Sequence, residues 1–308
     1  MEGILTGFAI IAVVIAAGYV CARLRIGGDG AQLALNRIAF FVASPALLFT
    51  VIADADLAEL LHGPLLVQAA AAVIVAGLFL LVNAVWLRLS ASEATVGAVS
   101  AGYVNANNIG LPVAVYVLDD PRAVVPLILL QLLVFAPLTL LVLDAQTTGR
   151  LSARLVLAQP VRNPIILGSV AGAVVSAAGW TVPAPVLAPL DILGGAAIPM
   201  MLMAFGMSLH GSRPLRRGSS RAAAGVAAAI KAVVMPAVAY LLARYAFRLD
   251  DDEVLAAVVL AGLPTAQNVF NYASRFRRGE ILARDVILVT TIASPVVLFA
   301  AALLLGDG

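Results

Sequence analysis

Ten runs of roughly 20 apolar residues, each closed off by charged or turn-forming residues, dominate this sequence and leave the chain few ways to fold. A hydrocarbon layer of about 30 Å is crossed by roughly 20 residues of helix. The runs fall near 3–22, 33–53, 64–87, 94–118, 122–144, 163–182, 186–209, 222–247, 254–274 and 285–305. With 12% of the 308 residues charged and a mean hydropathy of +1.04, the chain holds more apolar surface than one water-solvated core can hide. It reads as an all-α membrane protein of ten transmembrane helices. The first run lacks the basic start of a secretory signal, since Glu2 is the only charge ahead of it and Arg23 and Arg25 follow it. It is read as a span whose N-terminus lies outside.

Charge placement orients the spans. With the N-terminus outside, the inner loops collect Arg23, Arg25, Arg37, Arg88, Arg150, Arg154, Arg162, Arg213, Arg216, Arg217, Arg221, Arg275, Arg277, Arg278 and Arg284. The outer face keeps only Arg122, Arg244 and Arg248, and gathers the acidic groups Asp54/Asp56/Glu59, Asp119/Asp120 and Asp250–Glu253. This is the positive-inside pattern, and it places both termini outside a plasma membrane, or the inner membrane of a bacterium. The acidic runs read as solvated loop charges. One cysteine, Cys21, and two histidines leave neither a disulfide framework nor a Cys/His metal site. A net charge of +2 scattered between apolar runs gives nucleic acid nothing to bind.

The chain also repeats itself. AGYVNANN (Ala101–Asn108) returns as AGLPTAQN (Ala261–Asn268), 160 residues on. Pro45 and Pro199, and Pro137 and Pro295, follow at similar offsets. Residues 1–145 and 163–308 therefore read as two five-helix repeats joined by a basic cytoplasmic linker, 146–162. Five spans is an odd number, so the second repeat enters the membrane from the opposite side and the repeat is inverted. Inverted repeats with interrupted helices in matching positions are the pattern of secondary transporters, which bind solute near the bilayer midplane.

The interruptions are spans 4 and 9. Span 4 sets Asn105, Asn107 and Asn108 just before Gly110 and Pro112; span 9 sets Gly262 and Pro264 before Thr265, Gln267, Asn268 and Asn271. Proline removes a backbone donor and glycine loosens the chain, so both helices are expected to break. Unwound backbone at membrane depth is tolerated only inside protein or along a watery cavity. Half-helix N-termini present N–H groups and partial positive charge, half-helix C-termini present carbonyls, and amides add neutral donors and acceptors. Six amides around two repeat-related breaks point to a binding site. The isolated Gln68, Asn83 and Gln131 read instead as interhelical glue.

Lys231, the only lysine, sits in the middle of span 8. An ionisable group at that depth is by default functional. Either the amine is uncharged for much of the time, or it neutralises the carbonyl end of a broken helix or a bound carboxylate. A purely structural lysine bonded to carbonyls is the plain alternative.

Several strings together resemble the auxin efflux carrier family. They are ASPALLF in span 2, Asn105 ahead of Gly110–Leu111–Pro112, Asn163–Pro164 opening span 6, AAIPMMLMAFGMSL in span 7, the Ile230–Lys231 pair, and GLPTAQN in span 9. The resemblance covers essentially the whole chain. It implies the wider bile-acid/sodium symporter-like superfamily, with spans 4 and 9 crossing at their breaks. It further implies a scaffold of spans 1, 2, 6 and 7, against which spans 3–5 and 8–10 move in an elevator-type step, and a homodimer formed through the scaffold. Span 9 lacks the glutamate of sodium-coupled symporters, and spans 4 and 5 lack the aspartate pair of cation antiporters.

The leading expectation is a secondary carrier of a small organic anion, a mono- or dicarboxylate or auxin-like acid, with no cofactor beyond a possible coupling proton or sodium. Asn105, Asn107, Asn108, Gly110, Pro112, Pro264, Thr265, Gln267, Asn268, Asn271 and Lys231 form its expected substrate or ion site. The alternatives are a cation/proton exchanger that titrates Lys231, and a sensor that reuses a transporter fold. A membrane enzyme finds no support: the aspartates lie in short outer loops, and His62 and His210 sit near span ends.

Overall fold

A chain with no water at hand must satisfy its backbone within each segment, so every apolar run becomes helix. The computed structural model describes residues 2–28, 30–55, 63–148, 163–211, 215 and 221–306. Most of the expected linker, with Arg150, Arg154 and Arg162, lies outside the described residues, as do Asp56, Glu59, His62, Arg213, Arg216 and Arg217.

The helices are α1 (Glu2–Arg23), α2 (Ala31–Ala53), α3 (Pro64–Leu87), α4 (Ala91–Gly102), α5 (Leu111–Tyr116), α6 (Pro121–Thr147), α7 (Pro164–Ala177), α8 (Ala184–Leu209), α9 (Arg221–Ala246), α10 (Asp251–Ala261), α11 (Asn268–Phe276) and α12 (Glu280–Leu305). Seven of them, α1, α2, α3, α6, α8, α9 and α12, are long and apolar enough to cross a membrane. The run expected at 163–182 gives the shorter α7, opened by Asn163, whose side chain accepts from the Ile165 N–H, and followed by Gly179 at φ +61°. The runs at 94–118 and 254–274 are each split in two, as α4/α5 and α10/α11. Outward-facing side chains such as Val296 (72% exposed), Ile192 (76%) and Leu304 (81%) suit lipid rather than water.

Local features recur at the spacing of the sequence repeat. Each of α3 and α9 ends in a π-helical turn, Asn83–Leu87 and Leu242–Ala246. Arg88 and Arg248 then take left-handed backbone, at φ +55° and +54°. Ser90 caps α4 by accepting the Glu93 N–H, and Asp250 caps α10 by accepting the Glu253 N–H at 2.8 Å. Such caps satisfy donors that the first turn of a helix leaves free.

The helices pack as two groups. α1 lies along the C-terminal half of α8, and the second half of α2 packs on α7 and on the first half of α8. Small residues permit the close approach: a Cβ on Gly206 would meet the Ile15 carbonyl and lie 2.9 Å from the Tyr19 backbone nitrogen. In the other group α3 packs on α4, α9 and α10, α12 packs on α4, α9, α10 and α11, and α6 packs on α4 and α11. The groups meet mainly where α5 and the π-helical turn before it, Ala106–Gly110, lie on α1 and α8.

Candidate functional site at the two helix breaks

Breaking a helix inside a membrane strands backbone groups, and here the two breaks satisfy each other. Val104 and Thr265 form an isolated antiparallel bridge. The Asn105 N–H donates to the Pro264 carbonyl at 2.8 Å, and the Ala266 N–H to the Tyr103 carbonyl at 3.0 Å. Side chains meet the remaining demand. The Thr265 hydroxyl donates to the Ser100 carbonyl at the end of α4 (2.7 Å), Gln131 Nε2 on α6 donates to the Val104 carbonyl (3.0 Å), and the Thr265 N–H donates to Thr290 Oγ1 on α12 (3.1 Å). An unpaired group at this depth costs several kcal/mol, so these bonds hold the two breaks together. Gly110 lets them close up, since a Cβ there would stand 2.9 Å from Val124 Cγ2 and 3.0 Å from Leu263 Cδ1.

Against this junction lies a cavity of about 440 Å³. Asn105, Asn107 and Asn108 line it from the first break, and Gln267, Asn268 and Asn271 from the second. All six expected amides are thus brought to one space. Asn105 Oδ1 accepts the Asn108 N–H (3.2 Å), and Asn107 Nδ2 donates to Asn108 Oδ1 (2.9 Å) and reaches Met201 Sδ on α8 (3.6 Å). Asn107 Oδ1 is buried without a hydrogen-bond partner. The volume falls in the range of roughly 300–1,000 Å³ usual for small-molecule sites.

The other five expected site residues do not line this cavity. Gly110 and Pro112 are buried in packing behind the break. Pro264 faces a separate, apolar cavity of about 370 Å³ beside Phe8, Phe205 and Phe299. Thr265 is fully buried, its hydroxyl and N–H both committed to protein. Lys231 is also fully buried, in a π-helical turn of α9, and its Nζ donates to the Ala261 carbonyl at 2.6 Å. Ala261 is the last residue of α10, so the amine meets the carbonyl end of a broken helix, one of the roles open to it from the sequence. Of the amides read as glue, Gln68 Nε2 bonds the Ala257 carbonyl (2.6 Å) and Asn83 Oδ1 accepts the Leu89 N–H (2.9 Å). Gln131 does both jobs: it ties the break and lines the cavity.

Sequence reasoning missed part of the lining. Gln32, Asn36 and Arg37 of α2 also line the cavity. Their signal was present, since Gln32 and Asn36 are four residues apart and share one face of an otherwise apolar helix. Arg37 had been counted as a loop charge. Among the described residues lining the cavity no carboxylate occurs, and Arg37 is the one ionisable cation. A fully buried acid was missed as well: Asp285 on α12 accepts from Arg284 at 2.9 Å through Oδ1, away from the cavity. No group of three or more metal-ligating side chains occurs among the described residues.

Helices that span a lipid layer, with a solute-sized polar cavity built where two of them break, define an integral membrane protein of the transporter class. The chain belongs to the membrane transport protein family, whose family model matches residues 4–153 and 139–301. The resemblance to auxin efflux carriers read from the sequence leads to this same family. Over 287 residues, 90% of this chain and 88% of the other, it is 29% identical to a Rhizobium meliloti (strain 1021) protein named "Putative malonate transporter". The protein is a membrane transporter and not an enzyme.

Proposed function

We propose that this transporter is a secondary carrier of small organic anions bearing carboxylate groups, with the cavity at the two breaks as its solute site. The observation that carries the reading is the lining: amides from both breaks and one arginine, with no carboxylate among the described residues. Such a surface offers N–H donors to an anion and nothing to neutralise a cation. The name of the Rhizobium relative, similar along nearly the whole chain, agrees with a dicarboxylate such as malonate. Lys231 lies off the cavity, which favours the carrier over an exchanger that titrates this amine.

The mechanism we propose is an elevator-type step within ten spans arranged as two inverted repeats, 1–145 and 163–308. Recurrence of the π turns, the left-handed arginines and the caps at one spacing supports the repeat. In this reading α1, α2, α7 and α8 are the scaffold, and α3–α6 with α9–α12 are the moving unit that carries the crossed breaks. The packing of helices into two groups supports that division, with α5 lying where the two units would meet, on α1 and α8. Both termini lie outside a plasma or bacterial inner membrane, and the cavity, bordered by the start of α2, faces the cytoplasm. Two copies pair through the scaffold, where α7 and α8 turn Val174, Val186 and Ile192 outward.

Uptake of radiolabelled malonate into proteoliposomes tests the site, with sodium and pH gradients imposed separately to identify any coupling ion. Asn268→Ala is expected to cut transport at least tenfold with the protein still folded. Wild-type rates in Asn105→Ala and Asn268→Ala together would show that the solute binds elsewhere.

A further inference from the structure

The cavity has two walls of different origin. The amides Gln267, Asn268 and Asn271 of the second break stand with α10–α12, and Asn105, Asn107 and Asn108 of the first stand where the two helix groups meet, whereas Gln32, Asn36 and Arg37 stand on α2, which packs with α7 and α8. Arg37 is exposed, lines the cavity and makes no salt bridge among the described residues. Its guanidinium presents a planar, cationic fork of donors that fits a carboxylate in two-point fashion. The break amides are neutral; Asn107 Nδ2 donates to Asn108 Oδ1, and Asn105 Oδ1 accepts the Asn108 backbone N–H. Charge recognition and shape recognition therefore sit on different walls of one site.

On the carrier reading above, we infer that Arg37 is a one-sided specificity residue: it grips a carboxylate of the solute while the cavity faces the cytoplasm, and releases it when the breaks move away from α2. The amides travel with the solute; the arginine stays behind. For a dicarboxylate, one carboxylate rests on the amides of the breaks and the other spans to Arg37. A monocarboxylate satisfies only one wall. Arg37 thus sets a preference for dicarboxylates at the cytoplasmic face and has no part in recognition at the outer face.

The test uses right-side-out and inside-out membrane vesicles containing equal amounts of wild type, Arg37→Gln, Arg37→Lys or Asn268→Ala, with radiolabelled malonate, succinate and acetate. A charge-assisted hydrogen bond corresponds to roughly tenfold or more in affinity. In Arg37→Gln the ratio of cytoplasmic-face KM to outer-face KM for malonate is expected to rise at least fivefold. The ratio of the two Vmax values should rise in step, as reversibility requires when no gradient drives the carrier. Acetate kinetics should change less than twofold, and Arg37→Lys should restore part of the malonate ratio. An unchanged ratio overturns the inference, whether both KM values stay put or both rise together. Asn268→Ala weakening transport from both faces upholds the underlying carrier reading whatever Arg37→Gln does. A wild type that carries none of the three acids refutes that reading and this inference with it.

Discussion

Thr265→Val separates residues that build the break from residues that meet the solute. The hydroxyl of Thr265 is fully buried and donates at 2.7 Å to the Ser100 carbonyl, in the last turn of α4, where no helical N–H follows to take it. Valine keeps the shape and removes the donor. Losing a neutral hydrogen bond costs about 1 kcal/mol net, and leaving the partner carbonyl buried and unpaired raises this to about 1–3 kcal/mol. Water cannot repair the loss at this depth. With an unfolding entropy of about 2.1 cal/mol/K per residue over 308 residues, each kcal/mol shifts the melting temperature by about 1.5 °C, so the drop should be roughly 2–5 °C. The assay is a thermal melt of the purified protein, followed by malonate transport well below the melting range. Because Thr265 does not line the cavity, KM should stay within twofold of wild type. A tenfold rise in KM with an unchanged melting temperature would refute the reasoning, since it would put the hydroxyl on the solute.

Lys231→Met leaves the buried Ala261 carbonyl without its donor, at a cost of about 1–3 kcal/mol; the melt should shift downward while malonate KM stays within threefold. Loss of transport with no loss of stability would point to proton exchange through the amine. Asn268→Asp places a carboxylate in a cavity lined by amides and Arg37, where two unit charges about 4 Å apart interact by about 4 kcal/mol near a protein surface; malonate KM should rise at least tenfold, read by uptake, while acquired cation transport would show the cavity to be less selective by architecture than argued. Gly206→Ala drives a Cβ into the Ile15 carbonyl and should lower the melting temperature by several degrees, whereas Gly77→Ala, with open space around its Cβ, should leave it unchanged or raise it.

Seven of the expected runs were legible as long apolar helices because length and hydrophobicity are strong signals in a membrane; the runs at 94–118 and 254–274 split in two, and that at 163–182 gave only the shorter α7. The break in span 9 was legible because Gly262 and Pro264 sit in it and disable the helical ladder there. In span 4 the break falls earlier than expected, at Tyr103–Asn105, while Gly110 and Pro112 lie in the helical backbone after it, the proline in the first turn of α5 where its missing N–H costs little. The partners of the breaks were not legible. That Thr265 bonds Ser100, 165 residues earlier, and that Gln131 bonds Val104 depends on how two distant segments cross. Lys231 shows the same limit, since its span predicts burial but only the position of the α10 end, 30 residues on, decides that a carbonyl receives the proton donor.

Arg37 shows a different limit. Counting arginines on either side of a membrane treats each as a loop charge, and that count is robust because it needs no side-chain direction. The same residue, nearly two turns inside α2 and five residues past Gln32, lines the cavity together with Asn36. On the proposed orientation its contribution to topology and its place in the site lining are compatible, because a cavity open to the cytoplasm opens on the side where positive charge is retained. A residue near the mouth of such a cavity serves orientation during insertion and attracts anions afterwards, whereas the amides deeper in, at Asn105 and Asn268, carry no charge that insertion would oppose. On that orientation the pairing of an exposed arginine on α2 with neutral amides at the junction follows from what each depth of the membrane permits.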